Sequence, residues 1–249
     1  MSLNTPNTLS LFGIEIHNDS LSEAADKVMA SKRSGLPKTV CFVNVNTINL
    51  AKTHSDLIAS VNDADYVFAD GVGMRIAASR QGQIMRDNVN GTDLLPLLCE
   101  RAAEQEKSLF LLGAQPGVAA LAAKRLEAQY DGLNIAGVHH GFFDKQSSQS
   151  VIDCINNSGA SVLLVAFGSP IQETWVRANR HLLRVDVVLA VGGLFDFFSG
   201  RIPRAPLWLR KLSLEWVFRL IQEPRKKFNR YVIGNPVFLW RCFWELKRA

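Results

Sequence analysis

Over the first 198 residues, short continuous apolar runs alternate with stretches of helical period, and that alternation restricts the chain to a sheet wrapped by helices. The apolar runs at 39–45, 66–69, 108–112, 134–138, 161–167 and 185–191 lack a consistent polar face, so each reads as a strand covered on both sides. Between them, 94–106, 117–129, 147–157 and 172–181 carry apolar residues at helical spacing. The pattern predicts an α/β fold, a Rossmann-like, mostly parallel sheet with helices on both faces. Nearly every run ends in Gly, Asn or Asp: Asn44-Val45-Asn46-Thr47, Asp70-Gly71-Val72-Gly73, Gly113-Ala114-Gln115-Pro116, Gly168-Ser169-Pro170 and Gly192-Gly193. In open α/β sheets the ligand crevice lies outside the carboxyl ends of the strands, so these loops are the candidate site.

The pattern stops near Ser199-Gly200, which divides the chain into an α/β domain, 1–198, and a C-terminal appendage, 199–249. Of 28 basic and 23 acidic residues, 12 and 3 fall in the appendage, which carries a net +9 on a body of −4. Four of five tryptophans, Trp208, Trp216, Trp240 and Trp244, lie there too, so the basic segment is also apolar. It reads as helical: 212–222 is amphipathic and ends at Glu223-Pro224, and 238–247 forms a second short helix. Basic residues among aromatics suit either single-stranded nucleic acid or an anionic lipid surface. Leu212, Leu214, Trp216, Val217, Leu220 and Ile221 cover more than one side of the first helix, which favours burial in lipid or against the body. No run approaches ~18 apolar residues, so no membrane-crossing helix is expected. A polar start argues against a targeting segment. Cys41, Cys99, Cys154 and Cys242 are widely spaced and read as buried, reduced thiols with no metal.

Among the loops, Gly113–Gly117 follows a strand and opens a helix, offering backbone N–H groups and a positive dipole end to a phosphate; a plain tight turn explains the glycines equally well. Gly168 and Gly192-Gly193 offer two more such turns. Asp70, at a strand end and flanked by glycine, has the chemistry of a general base acting on a hydroxyl, or of a turn cap. Asp63-Ala64-Asp65 matches a metal-holding DxD in spelling but precedes its strand, and reads as a solvated turn. His139 and His140, adjacent on extended backbone, would point to opposite faces, a poor chelating pair. Gln172 and Glu173 follow Pro170 on the first turn of a helix at the crevice; such a Glu is commonly a cap, and a Gln amide can hold a sugar hydroxyl or phosphate oxygen.

Taken in order, Asn44-Val45-Asn46-Thr47, Ala69-Asp70-Gly71, Asn90-Gly91-Thr92-Asp93-Leu94, Phe110-Leu111-Leu112-Gly113, Gly168-Ser169-Pro170-Ile171-Gln172-Glu173, Val191-Gly192-Gly193-Leu194-Phe195-Asp196, Arg204-Ala205-Pro206, Leu214-Glu215-Trp216, Arg219-Leu220, Glu223-Pro224-Arg225 and Arg230-Tyr231 form a set. The set resembles the WecG/TagA/CpsF glycosyltransferase family over residues 9 to 232. The resemblance implies an inverting hexosyl- or N-acetylhexosaminyltransferase. It would move an N-acetylmannosamine-type or glucose-type sugar from a UDP-sugar to a polyprenyl-diphosphate-linked sugar at the cytoplasmic face of the inner membrane. It implies Asp70 as base with Thr47 beside it and Gln172 in the pocket, Asp196 on the nucleotide base, and Arg219, Arg225 and Arg230 over the diphosphate. Asn46, Gly113, Gly168, Pro170, Glu173, Gly192, Gly193 and Arg204 complete the matched substrate-binding positions. The family commonly carries Arg three positions before the glycine matching Gly91; here that position is Asn88, with Arg86 two residues earlier as the candidate in its place.

The chemistry implied is metal-independent and needs no cofactor, the UDP-sugar being a substrate. Backbone N–H groups at Gly113, Gly168 and Gly192, with the arginines, would stabilise the departing diphosphate. Arg210, Lys211, Arg241, Lys247 and Arg248, with the late tryptophans, are left for an anionic membrane surface. Nucleic acid is not an expected partner, and a homo-oligomer is left open. Two alternatives stand beside this reading: a non-catalytic polyanion- or lipid-binding module, and a nucleotide-dependent oxidoreductase, for which the dinucleotide fingerprint is missing.

Overall fold

The computed structural model describes residues 7–246. Its eight-stranded sheet comprises β1 (Thr8–Leu11), β2 (Ile14–His17), β3 (Lys38–Val43), β4 (Tyr66–Ala69), β5 (Ser108–Gly113), β6 (Asn134–His139), β7 (Val162–Ala166) and β8 (Val187–Ala190). Their spatial order is β1-β2-β4-β3-β8-β7-β5-β6. Every pairing is parallel except the β1–β2 hairpin at one edge. The expected α/β class and mostly parallel sheet are therefore present. The hairpin is additional: Leu9, Leu11, Ile14 and Ile16 alternate inward across a turn in which Phe12 and Gly13 both take positive φ, as a two-residue hairpin turn demands.

Successive residues of the central strands face opposite layers, which is why each strand is apolar throughout. Val40, Phe42, Leu109, Leu111, Leu164 and Leu189 pack with helices Leu21–Met29, Gly91–Glu104 and Val118–Gln129. Cys41, Val43, Val67 and Ala69 face the other way, onto helices Ser55–Asn62 and Val72–Arg80. Further along that face, Phe110, Leu112, Leu163 and Val165 meet Gln149–Asn157 and Ile171–Asn179.

Beyond residue 199 the chain is helical, as expected, but divided differently. Ser213, at φ 59°, separates helix Leu207–Lys211 from Glu215–Gln222. Pro224 then opens Pro224–Phe228, and a π-turn at Asn229–Ile233 leads into Gly234–Trp244. This last helix is part of the body: Phe238, Cys242 and Leu246 join the core that holds Met74, Ala77 and Ile48. Gly73 has no side chain because a Cβ there would sit 2.3 Å from Val45 Cγ2 and 3.3 Å from Phe238 Cε1. Arg241 corrects an expectation, since it is 7% exposed rather than surface-directed. Its guanidinium donates to Ile48 O at 2.6 Å, pairs with Glu245 and lies over the Phe12 ring, partners that satisfy a largely buried charge. Lys247 and Arg248 lie outside the described residues. Cys154 is exposed, whereas the other three cysteines are buried; all four are free.

Candidate active-site cleft

All six parallel strands from β3 to β8 send the loop at their carboxyl end into one cleft of about 1680 Å³, through Asn44, Asp70, Ala114, Gly141, Gly168 and Gly192 respectively. The C-terminal helical segment also lines the cleft, with Arg201, Arg210, Arg219, Lys226, Lys227 and Arg230. A body with net negative charge thus contributes a carboxylate, polar turns and the Lys145 ammonium, and the segment contributes the other cations.

Asp70 stands where β4 ends. Its backbone N–H donates to Val43 O at 2.8 Å, and the next, Gly71, donates to Asn88 Oδ1 at 2.5 Å. Its Oδ2 accepts from Asn44 Nδ2 at 3.2 Å. Asn44 caps helix Val45–Leu50, its Oδ1 accepting from the N–H groups of Asn46 at 3.0 Å and Thr47 at 3.2 Å. Thr47 is 2% exposed and closes the same capping box through Oγ1, so it meets Asp70 only by way of Asn44. Asn46 itself lines the cleft. Asn88, the position where an arginine was expected, holds the backbone of the Asp70 turn instead. Arg86 is outside the cleft lining, paired with Glu23 at 2.8 Å. The Ser20 backbone N–H, then Arg86, hold that carboxylate down to about 2.

Gln172 is 3% exposed and acts as a staple. Its Oε1 accepts the N–H of Gly168 at 3.1 Å and that of Gly192 at 2.9 Å, tying the ends of β7 and β8 together. Those two N–H groups, expected to face a diphosphate, are therefore engaged within the protein. The amide Nε2 donates to Glu173 Oε1 at 2.9 Å, which also accepts from Ser169 Oγ at 2.6 Å. Among the described residues, Glu173 Oε2 is buried with no hydrogen-bond partner, and burial pushes this carboxyl above the usual glutamate range. Glu173 and Pro170, which follows a cis peptide bond, lie behind the cleft lining. Gly113 also sits behind it: at φ 138°, a Cβ there would meet Ala166 O at 2.4 Å, so close strand packing accounts for the glycine. Ala114 and Gln115 reach the cleft in its place.

Gly192, Gly193 and Asp196 line the cleft at the start of helix Leu194–Phe198. Burial raises the Asp196 carboxyl above the ordinary aspartate range, opposed by Arg201 at 3.8 Å. Arg219 lies over the ring of the neighbouring Phe197 and pairs with Glu215 at 3.4 Å, while Arg230 lies over Tyr231. Lys227 is held below the usual lysine range by burial and by Arg230. Arg225 is exposed and outside the lining, and Arg204 is a root for the segment, donating to Asp93 Oδ1 at 2.6 Å. Arg210 reaches the same carboxylate at 3.8 Å.

Sequence reasoning gave no site role to the lining residues Asn44, Asn88, Arg201, Lys226 and Lys227, and it sent Arg210 to the membrane surface, whereas Arg210 lines the cleft. For Asn44 a signal existed, the Asn-x-x-Thr spacing of a capping box; the cations carry none beyond the charge of the segment. Asp65 is no solvated turn: it accepts from Thr39 N at 2.9 Å and pairs with Lys38 and Arg180, bracing the opposite end of the sheet. His139 and His140 are both half-buried, their rings 4.7 Å apart. Among the described residues no three His, Cys, Asp or Glu side chains converge as a metal site would require, and no helix is long and apolar enough to cross a membrane. A family model, the glycosyl transferase WecG/TagA/CpsF family, matches residues 9–249.

Proposed function

The chain belongs to the WecG/TagA/CpsF family of glycosyltransferases, and from that premise we propose that it moves a sugar, of the N-acetylmannosamine or glucose type, from a UDP-sugar to a sugar carried on a polyprenyl diphosphate. The observation that carries this reading is that Asp70 and a group of cations from the C-terminal segment line one and the same cleft. Transfer to a hydroxyl needs a base on one side of the reacting carbon and charge stabilisation on the other. Asp70 takes the acceptor hydroxyl proton as that oxygen bonds to the anomeric carbon. The bond to the UDP oxygen breaks with its electron pair, so the product configuration is inverted. Arg219, Arg230, Arg210 and Lys227 receive the charge that develops on the diphosphate, without a metal or cofactor.

Asp196, beside Gly193 at the cleft rim, is assigned to the uracil, and Gln172 to holding the two glycine turns against the donor. The outer surface of the last helix supports a place on an anionic membrane. Val237, Leu239, Trp240, Phe243 and Trp244 are exposed, Trp244 by 67%, while only the stripe of Gly234, Phe238, Arg241 and Cys242 is buried. Leu207, Trp208 and Leu212 are exposed as well, and so are the cations Lys211 and Arg225 of the same segment. The enzyme would then work peripherally on the cytoplasmic leaflet, where a lipid-linked acceptor is anchored. A panel of UDP-sugars, assayed by UDP release with a short-chain lipid-diphosphate acceptor, tests the reading; release from none of them contradicts it.

A further inference from the structure

We infer that Asn44 is a positioning residue for Asp70, holding the carboxylate by one oxygen so that the other is free to take the acceptor proton. The inference rests on the reading of Asp70 as the base. An asparagine amide has one accepting end and one donating end, and which end faces a neighbour is a matter of what fixes the other. Here the accepting end is fixed by a helix. Asn44 Oδ1 takes the N–H of Asn46 at 3.0 Å, the N–H of Thr47 at 3.2 Å and the Thr47 hydroxyl at 3.3 Å. Turning the amide over would set its NH2 against two backbone donors and its oxygen against the Asp70 carboxylate. The donating end is therefore committed to Asp70, where Nδ2 meets Oδ2 at 3.2 Å.

The rest of the turn leaves the carboxylate little freedom. The Asp70 N–H is bonded to Val43 O at 2.8 Å and the Gly71 N–H to Asn88 Oδ1 at 2.5 Å. Among the described residues, Asp70 Oδ1 accepts no hydrogen bond, and Asp70 lines the cleft. A base held at one oxygen, by a donor that cannot rotate away, keeps its other oxygen for the acceptor hydroxyl.

The rival explanation is that Asn44 only caps its helix. Ser and Asp cap about as well as Asn, so they separate the roles. Asn44→Ser keeps a capping oxygen but has no amide to reach Asp70; Asn44→Asp keeps the cap and sets a like charge beside the base. The experiment measures kcat, KM for the nucleotide sugar and melting temperature for both variants, for Asp70→Asn, and for Asn44→Ser combined with Asp70→Asn. We expect Asn44→Ser to lower kcat roughly ten- to a hundred-fold, the worth of a hydrogen bond to a charged group. KM should stay within about twofold, and Asn44→Asp should be slower still. In the Asp70→Asn background, Asn44→Ser should cost nothing more, because groups that act as a unit are not additive. Wild-type kcat in both Asn44 variants, or losses that multiply in the double variant, would overturn the positioning role. Failure of the underlying reading shows separately, as wild-type turnover in Asp70→Asn alone.

Discussion

The side-chain oxygen of Gln172 accepts the backbone N–H of Gly192 at 2.9 Å, so a residue on the helix after β7 holds the turn that ends β8. The same oxygen holds Gly168, and the cleft floor between the two strands is thereby set by one amide. Gln172→Ala leaves both N–H groups without their partner at half-buried turns that line the cleft. Losing such hydrogen bonds costs about 0.5–1.5 kcal/mol each. The variant should melt several degrees lower and bind UDP more weakly; differential scanning calorimetry and UDP titration read both effects.

Glu173 carries a pH signature. Burial raises its carboxyl, so its neutral form is favoured in the folded state. Below the ordinary glutamate range the group is protonated folded or unfolded and costs nothing; as pH rises through its higher folded value, the penalty for ionising develops and stability is lost. Glu173→Gln cannot ionise and keeps an oxygen for Ser169 and Gln172. Its melting temperature relative to wild type should therefore improve from pH 5 to pH 8. A constant difference across that range would contradict the assignment.

The two sides of the last helix should respond oppositely. Phe238 is 1% exposed in the core, and Phe238→Ala should cost about 3–5 kcal/mol of stability in a denaturant melt. Trp240→Ser with Trp244→Ser removes rings that are already in solvent, so stability should hold while sedimentation with anionic vesicles is lost. Retained sedimentation in the double variant would rule out this helix as the membrane element.

Of the arginines matched to the diphosphate, Arg219 and Arg230 line the cleft and Arg225 does not. Arg219→Ala and Arg230→Ala should each lower kcat/KM roughly tenfold or more. Arg225→Ala should stay within about twofold in assays with a water-soluble acceptor, and equal losses for all three would contradict this division.

The parallel sheet and its loaded carboxyl ends were legible because a strand covered on both faces leaves no polar alternation and must turn at Gly, Asn or Asp. The β1–β2 hairpin was not, since two four-residue strands offer only Leu9/Leu11 and Ile14/Ile16 as alternation. Glycine turns signal that N–H groups are accessible, but not that Gln172, four residues on from one and twenty before the other, will take them. Charge counting misplaced Arg241 for a related reason: only its packing against Phe12 and its bond to Ile48 O show that it faces inward. The cationic lining was visible as the +9 of the last 51 residues, yet which cations reach the cleft depended on how the helices divide at Ser213 and Pro224.

Replacing Asp70 by Asn tests the central claim most directly, because it removes the proposed base and preserves size and most hydrogen bonding. With the donor and lipid-diphosphate acceptor that support turnover, kcat should fall by about 10²–10⁴, the usual contribution of general base catalysis, while UDP affinity measured by calorimetry stays within about twofold. Turnover near the wild-type rate in that variant would contradict the assignment of Asp70 as the base.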